Sequence, residues 1–433
     1  MKADITKDTF NVTKHFSRVL MQQGRVQLDA DWNEQTDILL HYIQTLAKDL
    51  IGEHAGPKGN AAFEISEVSD TDFKIGLGNY YVDGILCENE GDSGSAPYKY
   101  TNQPYYRHGA KLLENGAYLV YLDVWEHLFT HLEDESIREV ALLGADTTAR
   151  AKIIWQVKIE NVMVEGKKIG NLSNTELKNL GAIINNVWPR WKKLWQPEYR
   201  GLLKAKAKQA DAQSEPCNIQ PDSFYRGLEN KLYRVEIHQG GKLSDEYKPT
   251  FKWSRDNGST VSRATLSGKE ALSLDNPQGF SSGNWVELTT DEQEVRGESG
   301  LLLKINKIDE NILYFDAEVV RPTLPAGENW PTKARLWNRA AIEIAEGRGE
   351  DKWLVLEDGV QIQFQPSIST TLVNQYRTGD YWLIPARVAT GNIEWPIKDG
   401  KPLALDPHGV KHHYAPLAIV KKDHSVQNLR IEF

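Results

Sequence analysis

From residue 62 onward the chain is written mostly in short runs of β-branched and aromatic residues, with Gly, Asn and Asp between them. AAFEISEV, FKIGLGNYYVDGILCEN, GAYLVYLDVWEHLF and AKIIWQVKIENVMV carry this pattern to residue 164. NKLYRVEIHQGG, TFKWSRDNGSTVSRATL, KWLVLEDGVQIQF, YRTGDYWLIPARV and YAPLAIVKKDHSVQNLRIEF resume it in the second half. Such side chains fit a pleated surface, and breaks this frequent leave room only for short strands. Between them, GNWVELTTDEQEVRGESGLLLKINKIDENILYFDAEV gives evenly spaced strands with charged turns, the pattern of a small barrel. The expectation is a mainly β, multi-domain chain of sandwiches and small barrels. The counts of 13 Trp and 17 Tyr against 3 Met agree with it.

Two stretches depart from the pattern. WNEQTDILLHYIQTLAKDLI, residues 32–51, spaces Trp32, Thr36, Leu39, Ile43, Leu46 and Leu50 by four and three, a heptad seam of a coiled-coil helix stopped by Gly52. A helix of this length is marginal alone, so its apolar seam needs a covering surface. The segment 166–222 is the second departure. SNTELKNLGAIINNVWPRWKKLWQ reads as a short helix interrupted at Pro189, with Trp188, Trp191 and Trp195 at three-to-four spacing. KAKAKQADAQSEPCNIQPDS after it reads as a polar linker. The expected division is therefore serial: 1–58 arm and helix, 59–165 a first β domain, 166–222 a helical insertion, 223–345 a second β domain with the barrel, and 346–433 a C-terminal β region.

Bulk chemistry narrows the function. A net charge of −9 and a pI near 5.7 lack the clustered cations that phosphate backbones require, so no nucleic-acid partner is expected. Cys87 and Cys217 are too few for a disulfide framework or a zinc spacing. The first residues carry no apolar signal core, and no run of about 18 apolar residues spans a bilayer. Synthesis in the cytoplasm, without membrane insertion, is the expectation.

Candidate chemistry is sparse. In QLDADWNEQ, Asp29, Asp31 and Asn33 alternate like the start of a calcium loop, but the sixth and twelfth places hold Glu34 and Leu40 instead of Gly and Glu. Asp31 as N-cap, with Glu34 three places on, explains the same residues as a capping box. GDSGSAP, 91–97, resembles a serine-protease nucleophile loop, yet no fitting histidine base precedes it, so it reads as a turn. DPHGVKHHYAP brings His408, His412 and His413 together as weak metal candidates beside Asp406. The pair Glu357-Asp358 is either a carboxylate dyad or a hairpin turn. Asp256-Asn257-Gly258 signals a tight hairpin. No phosphate loop, nucleophile elbow or H-E-x-x-H motif occurs, and no cofactor is expected. The Trp188, Trp191, Trp195 cluster sits in the inserted segment as a surface aromatic patch, for a partner or for stacked sugars.

QGRVQLDADWNEQ (23–35), YLVYLDVWEHLFTHLEDESIREVALLGADTTARAKIIWQVK (118–158), KWSRDNGS (252–259), YRTGDYWLIPAR (376–387) and HGVKHHYAPLA (408–418) resemble one bacterial family of uncharacterised domains. The resemblance spans nearly the whole chain, departs from it at 166–222, and supplies no catalytic residues. Members resemble proteins encoded beside phage-tail-like contractile injection systems. The first motif is also similar to N-terminal segments that attach phage tail and baseplate fibres. What this implies is a non-enzymatic structural component: an adaptor, cap or baseplate- or fibre-associated protein. It would be cytoplasmic at synthesis, then particle-associated and open to release outside the cell. Its partners would be further particle subunits and copies of itself, as a trimer or a larger ring. Arg25, Asp31, Trp32, Glu34, Leu39, Ile43, Leu46 and Leu50 are the expected interface. The alternatives are a carbohydrate- or surface-binding β module and, third, a hydrolase with a carboxylate or His-metal site.

Overall fold

The computed structural model describes residues 1–106, 116–164, 166–196, 199–208, 225–322, 330–367 and 373–433. It is mainly β, built of several small sheets and a closed barrel, with few helices. The chain forms two compact units. One comprises 9–127, 151–197 and 411–433, and the other 1–8, 128–150 and 198–410. The serial division expected from sequence does not coincide with these units. The last strands return to the first β region and the first eight residues join the second, and such long-range pairing leaves no local signal.

The first, helix-bearing unit centres on an antiparallel sheet ordered Val426–Asn428, His413–Val420, Tyr118–Phe129, Arg150–Glu160. Both of its faces are covered, which explains the unbroken apolar run YLVYLDVW. Val120, Leu122 and Val124 pack with Phe63, Phe73, Tyr80 and Cys87 on one side. Leu119 and Tyr121 pack on the other side against a helix. The unit's helices are α1, Asp29–Ile51, and α2, Asn174–Trp195. A capping box opens α2: Glu176 N–H donates to Ser173 Oγ, and Ser173 N–H donates to the Glu176 carboxylate at 2.8 Å. The expected interruption at Pro189 is absent, and α2 passes through it as one helix. Proline removes one backbone bond. Leu177, Leu180, Trp188 and Trp191 bury both halves of the helix in one cluster and hold it together.

In the second, barrel unit, a five-stranded sheet runs Arg339–Glu343, Thr250–Ser254, Lys231–Gln239, Tyr381–Arg387, Asn392–Ile393. It shares a core with a three-stranded sheet, Leu202–Ala207, Val360–Gln365, Leu354–Val355. Six strands close the barrel in the order Val261–Leu266, Ala271–Leu274, Ile312–Phe315, Leu301–Asp309, Trp285–Thr289, Lys333–Trp337. A short helix, α3 (Asp291–Val295), sits between two of these strands. Residues 166–222 are therefore no single insertion. Their helix belongs to the core of the first unit, Leu202–Ala207 is a strand of the second, and 209–224 lie outside the described residues.

The turns separate into two outcomes. Asp83-Gly84, both at positive φ, closes a two-residue hairpin with Val82 opposite Ile85. Glu357-Asp358 sits in a similar hairpin between Leu354–Val355 and Val360–Gln365, with Asp358 and Gly359 at positive φ, so the pair is a turn. Asn257 and Gly258 adopt the same conformation, but the strands beside them do not pair with each other. Thr250–Ser254 joins the five-stranded sheet and Val261–Leu266 the barrel, so this turn links two layers. GDSGSAP is a turn as read, closed by Asp92 N–H donating to Ala96 O at 2.7 Å.

Candidate functional site

Asp29 opens α1, one turn before the boundary read from sequence. Its N-cap, Leu28, offers no side-chain hydrogen bond. The Asp31 N-cap reading is therefore wrong. Asp31 lies inside the first turn, where with Asp29 it opposes the positive end of the helix dipole. Glu34 is not a box partner either: it accepts from Thr9 Oγ1 at 2.6 Å and so holds the preceding arm. The reason is that Asp29, Ala30 and Asp31 already take helical geometry, which moves the cap outward by three residues, to Leu28. At the other end Gly52, at φ +97°, stops the helix and donates its N–H to Lys48 O.

The face of α1 turned to its own unit is narrow and largely polar. Ala30 and Ile38 are its buried residues. Gln35 Oε1 accepts from Val19 N–H at 2.8 Å, and His41 packs on Phe10. Near the C-terminus the hairpin turn Asp83-Gly84 receives the helix. A side chain at Gly84 would collide with Gln44 O, so glycine is needed there for close approach as well as for its positive φ. Asp83 takes Lys48 Nζ at 2.7 Å on one oxygen and His413 Nδ1 at 2.9 Å on the other. Burial by itself would raise the Asp83 carboxyl, but hydrogen bonds from His413 and Lys48 outweigh it and hold it well below the usual range. The same bond to Asp83 raises the Lys48 ammonium.

Half a turn away from this face lie Trp32, Leu39, Ile43, Leu46 and Leu50, all between 52% and 78% exposed. The heptad seam is present and it points outward. These five form one stripe, while the other expected interface residues fall elsewhere: Arg25 on the exposed arm, Asp31 at the first turn, Glu34 against Thr9. Soluble chains rarely leave a continuous stripe of this kind uncovered, and where they do it marks a contact surface. Using side-chain areas typical of buried Leu, Ile and Trp, the stripe offers roughly 600 Å² per copy, so two stripes facing each other would hide about 1,200 Å², the lower edge of a specific interface.

The other candidates dissolve into structure. Trp188 and Trp191 are each 3% exposed, and Trp191 Nε1 donates to Met163 O at 3.1 Å. Trp195 stacks on Tyr121 with ring centres 4.3 Å apart. The cluster read as a surface patch is core, because α2 lies flat on the sheet and three-to-four spacing puts all three rings on the covered side. His412 and His413 do not converge on one point. His412 Nδ1 meets Asp123 Oδ1 at 2.7 Å, and Lys158 Nζ donates to the other oxygen at 2.6 Å. His413 is bound to Asp83, and His408, in the barrel unit, stacks on Tyr381. Burial lowers the pKa of His408. Among the described residues no group of three His, Cys, Asp or Glu side chains is placed to hold a metal ion. An Asp-oriented histidine is half of a nucleophile-activating pair. Here Trp125 and Tyr414 flank the imidazole of His412 at 5.0 and 6.1 Å, and the group acts as a clamp at the start of its strand.

A second dense group of charges lies inside the barrel unit. Glu236 takes Arg234, Lys252 and Lys2, and Glu287 takes Lys252 and the Trp337 indole N–H. Each carboxylate is buried and multiply paired. Sequence reading missed this network, since its members are scattered from 2 to 337 and share only a polar residue at an inward position of an otherwise apolar strand. Among the described residues no helix is long and apolar enough to cross a membrane.

A model of a family of unknown function (DUF6519) matches residues 1–178 and 198–429. The stretch outside both matched segments, 179–197, is shorter than the departure expected at 166–222, and it carries the three tryptophans of α2. No curated protein and no solved structure matches the chain.

Proposed function

The chain belongs to that family of unknown function, and from this premise we propose that it is a structural subunit which assembles with its own copies through the outward seam of α1. One observation carries the reading: a helix with heptad spacing is tied to its own unit by polar contacts and keeps its apolar stripe in solvent. Among the described residues nothing covers that stripe, and association would supply the missing burial. The spacing of three and four is the period of helices that pack side by side, which favours a like helix as the covering surface and a closed symmetric oligomer, a trimer or a ring. The setting is a phage-tail-like contractile particle, in which the protein serves as an adaptor, cap or baseplate- or fibre-associated component. The resemblance of its first motif to tail and baseplate attachment segments supports that setting. So does the dispersal of its candidate catalytic groups into clamps and core.

Replacing Leu39 and Leu46 by Asp tests the seam. In dilute solution, light scattering is expected to show the seam-held oligomer fall to the mass of one 49.1 kDa chain. An unchanged mass defeats the proposal. The particle setting has its own test, immunogold labelling of particles released from the native cells, and unlabelled particles remove it.

A further inference from the structure

Two features lie outside the seam. The first is the excursion 128–150 of the barrel unit, whose tip is firmly built. Glu139 N–H donates to Ala145 O at 3.1 Å, Gly144 N–H returns to Glu139 O at 3.0 Å, and the Glu139 carboxylate accepts from Ala141 N–H at 2.8 Å. This framework holds Val140, Leu142 and Leu143 out in water. Leu143 is 99% exposed and sits in the left-handed region at φ +61°, a conformation a leucine adopts only at an energetic cost. Among the described residues nothing covers Leu143. In sequence, Asp134, Glu135, Glu139 and Asp146 flank the tip, and between 134 and 146 the one Lys or Arg is Arg138.

The second feature is a hollow of about 170 Å³ on the flank of α1 in the helix-bearing unit. Phe10, Val12 and Phe16 of the arm with Ile38 and Tyr42 of α1 give its apolar walls, and Asn11, His15, Glu34 and His41 complete the lining, the Glu34 carboxylate being held by Thr9. A dry apolar cavity of ~150 Å³ admits benzene, so this one has room for a single branched aliphatic side chain. The arm that forms it, 9–28, holds Lys14, Arg18 and Arg25 and no Asp or Glu, on a chain whose net charge is −9.

We propose that the Val140–Leu143 tip of one copy docks into the hollow between arm and α1 of a second copy, with Leu143 as the inserted side chain. The occupant follows from complementarity on both counts: an aliphatic tip for the apolar walls of the hollow, and an acidic loop for the cations of the arm. The contact is heterologous, tip to hollow, and therefore propagates head to tail into a ring or a row. Glu34, Ile38 and His41 of the lining lie off the α1 stripe, and this second contact does not rest on the first.

The test is made in the Leu39→Asp, Leu46→Asp chain, where the seam cannot contribute. Light scattering at rising concentration is expected to show association that Leu143→Asp abolishes, leaving the 49.1 kDa chain. Phe16→Asp, on the hollow side, is expected to do the same. Mixing the two single-contact variants restores one intact tip and one intact hollow, and is expected to give pairs of the two chains and nothing larger. As a change that leaves the apolar packing in place, Lys14→Glu with Arg18→Glu is expected to weaken association at least tenfold. A seam-less chain that stays single at every concentration overturns the proposal, and so does association indifferent to Leu143→Asp.

Discussion

The interior of the barrel unit and the outer face of α1 reverse the usual places of charge and apolar surface. Inside the barrel unit, Arg234, Glu236, Lys252 and Glu287 are all buried, while on α1 the largest apolar side chains stand in solvent. The two reversals have opposite consequences. A buried charge costs several kcal/mol unless its partners lie in the same fold, and here each has them: Lys252 bridges Glu236 and Glu287, and Trp337 donates to Glu287 at 3.0 Å. The barrel unit closes its own account. Among the described residues the α1 stripe meets no such partner on its outward side, and the proposed self-assembly would supply one. A reversal satisfied internally is architecture, and the open one is where the proposal places assembly.

The strongest way to break this comparison is Glu287→Ala, which strands Lys252 and the Trp337 indole in the interior. A loss of about 3–5 kcal/mol in urea unfolding is expected. An unshifted midpoint would show that water, and not the carboxylate, satisfies those groups.

Acid gives a smaller version of the same test. Burial alone would raise the Glu236 carboxyl, but Lys2, Arg234 and Lys252 outweigh it and hold it down to about 2. Its folded pKa lies below the unfolded one, so the stability it confers is present above the usual carboxylate range and is lost as pH falls toward 2. Thermal melts between pH 7 and pH 2 should decline by up to about 3 kcal/mol from this group, and Glu236→Gln should flatten that slope. A slope that the substitution leaves untouched would remove Glu236 from the network's role.

The smallest effect sharpens the other side. Leu46→Asp, measured where the protein is dilute enough to be a single chain, should change stability by no more than about 0.5 kcal/mol. A loss of several kcal/mol would mean that the chain covers its own seam.

Much of the fold was legible, though unevenly. Runs of aromatic and β-branched residues announced a mainly β protein, the even spacing after residue 284 announced a barrel, and Asp83-Gly84 closed the hairpin its chemistry prescribes. Asn257-Gly258 has the same backbone signature, yet its neighbours pair with other strands, because turn residues fix a local bend and not the partner beyond it. Ser173 and Glu176 carried a readable capping box that the proline sixteen residues into α2's reach obscured. For the candidate site, spacing revealed the seam residues, whereas Glu34 and the tryptophans, also read from spacing, turned out to be tied within the unit by Thr9 and by the sheet under α2.

What the sequence determined by itself was periodicity: which residues of α1 share a stripe, which segments alternate, where the chain must turn. These follow from bond geometry within a few residues. Tertiary structure alone decided orientation. The short polar anchorage at Gly84, Asp83 and Thr9 holds α1 by one side and leaves its apolar side to the solvent. The same helical pattern would read identically with that stripe turned inward. The choice rests on contacts between residues far apart in the chain, such as Lys48, Asp83 and His413, whose meeting no local rule encodes.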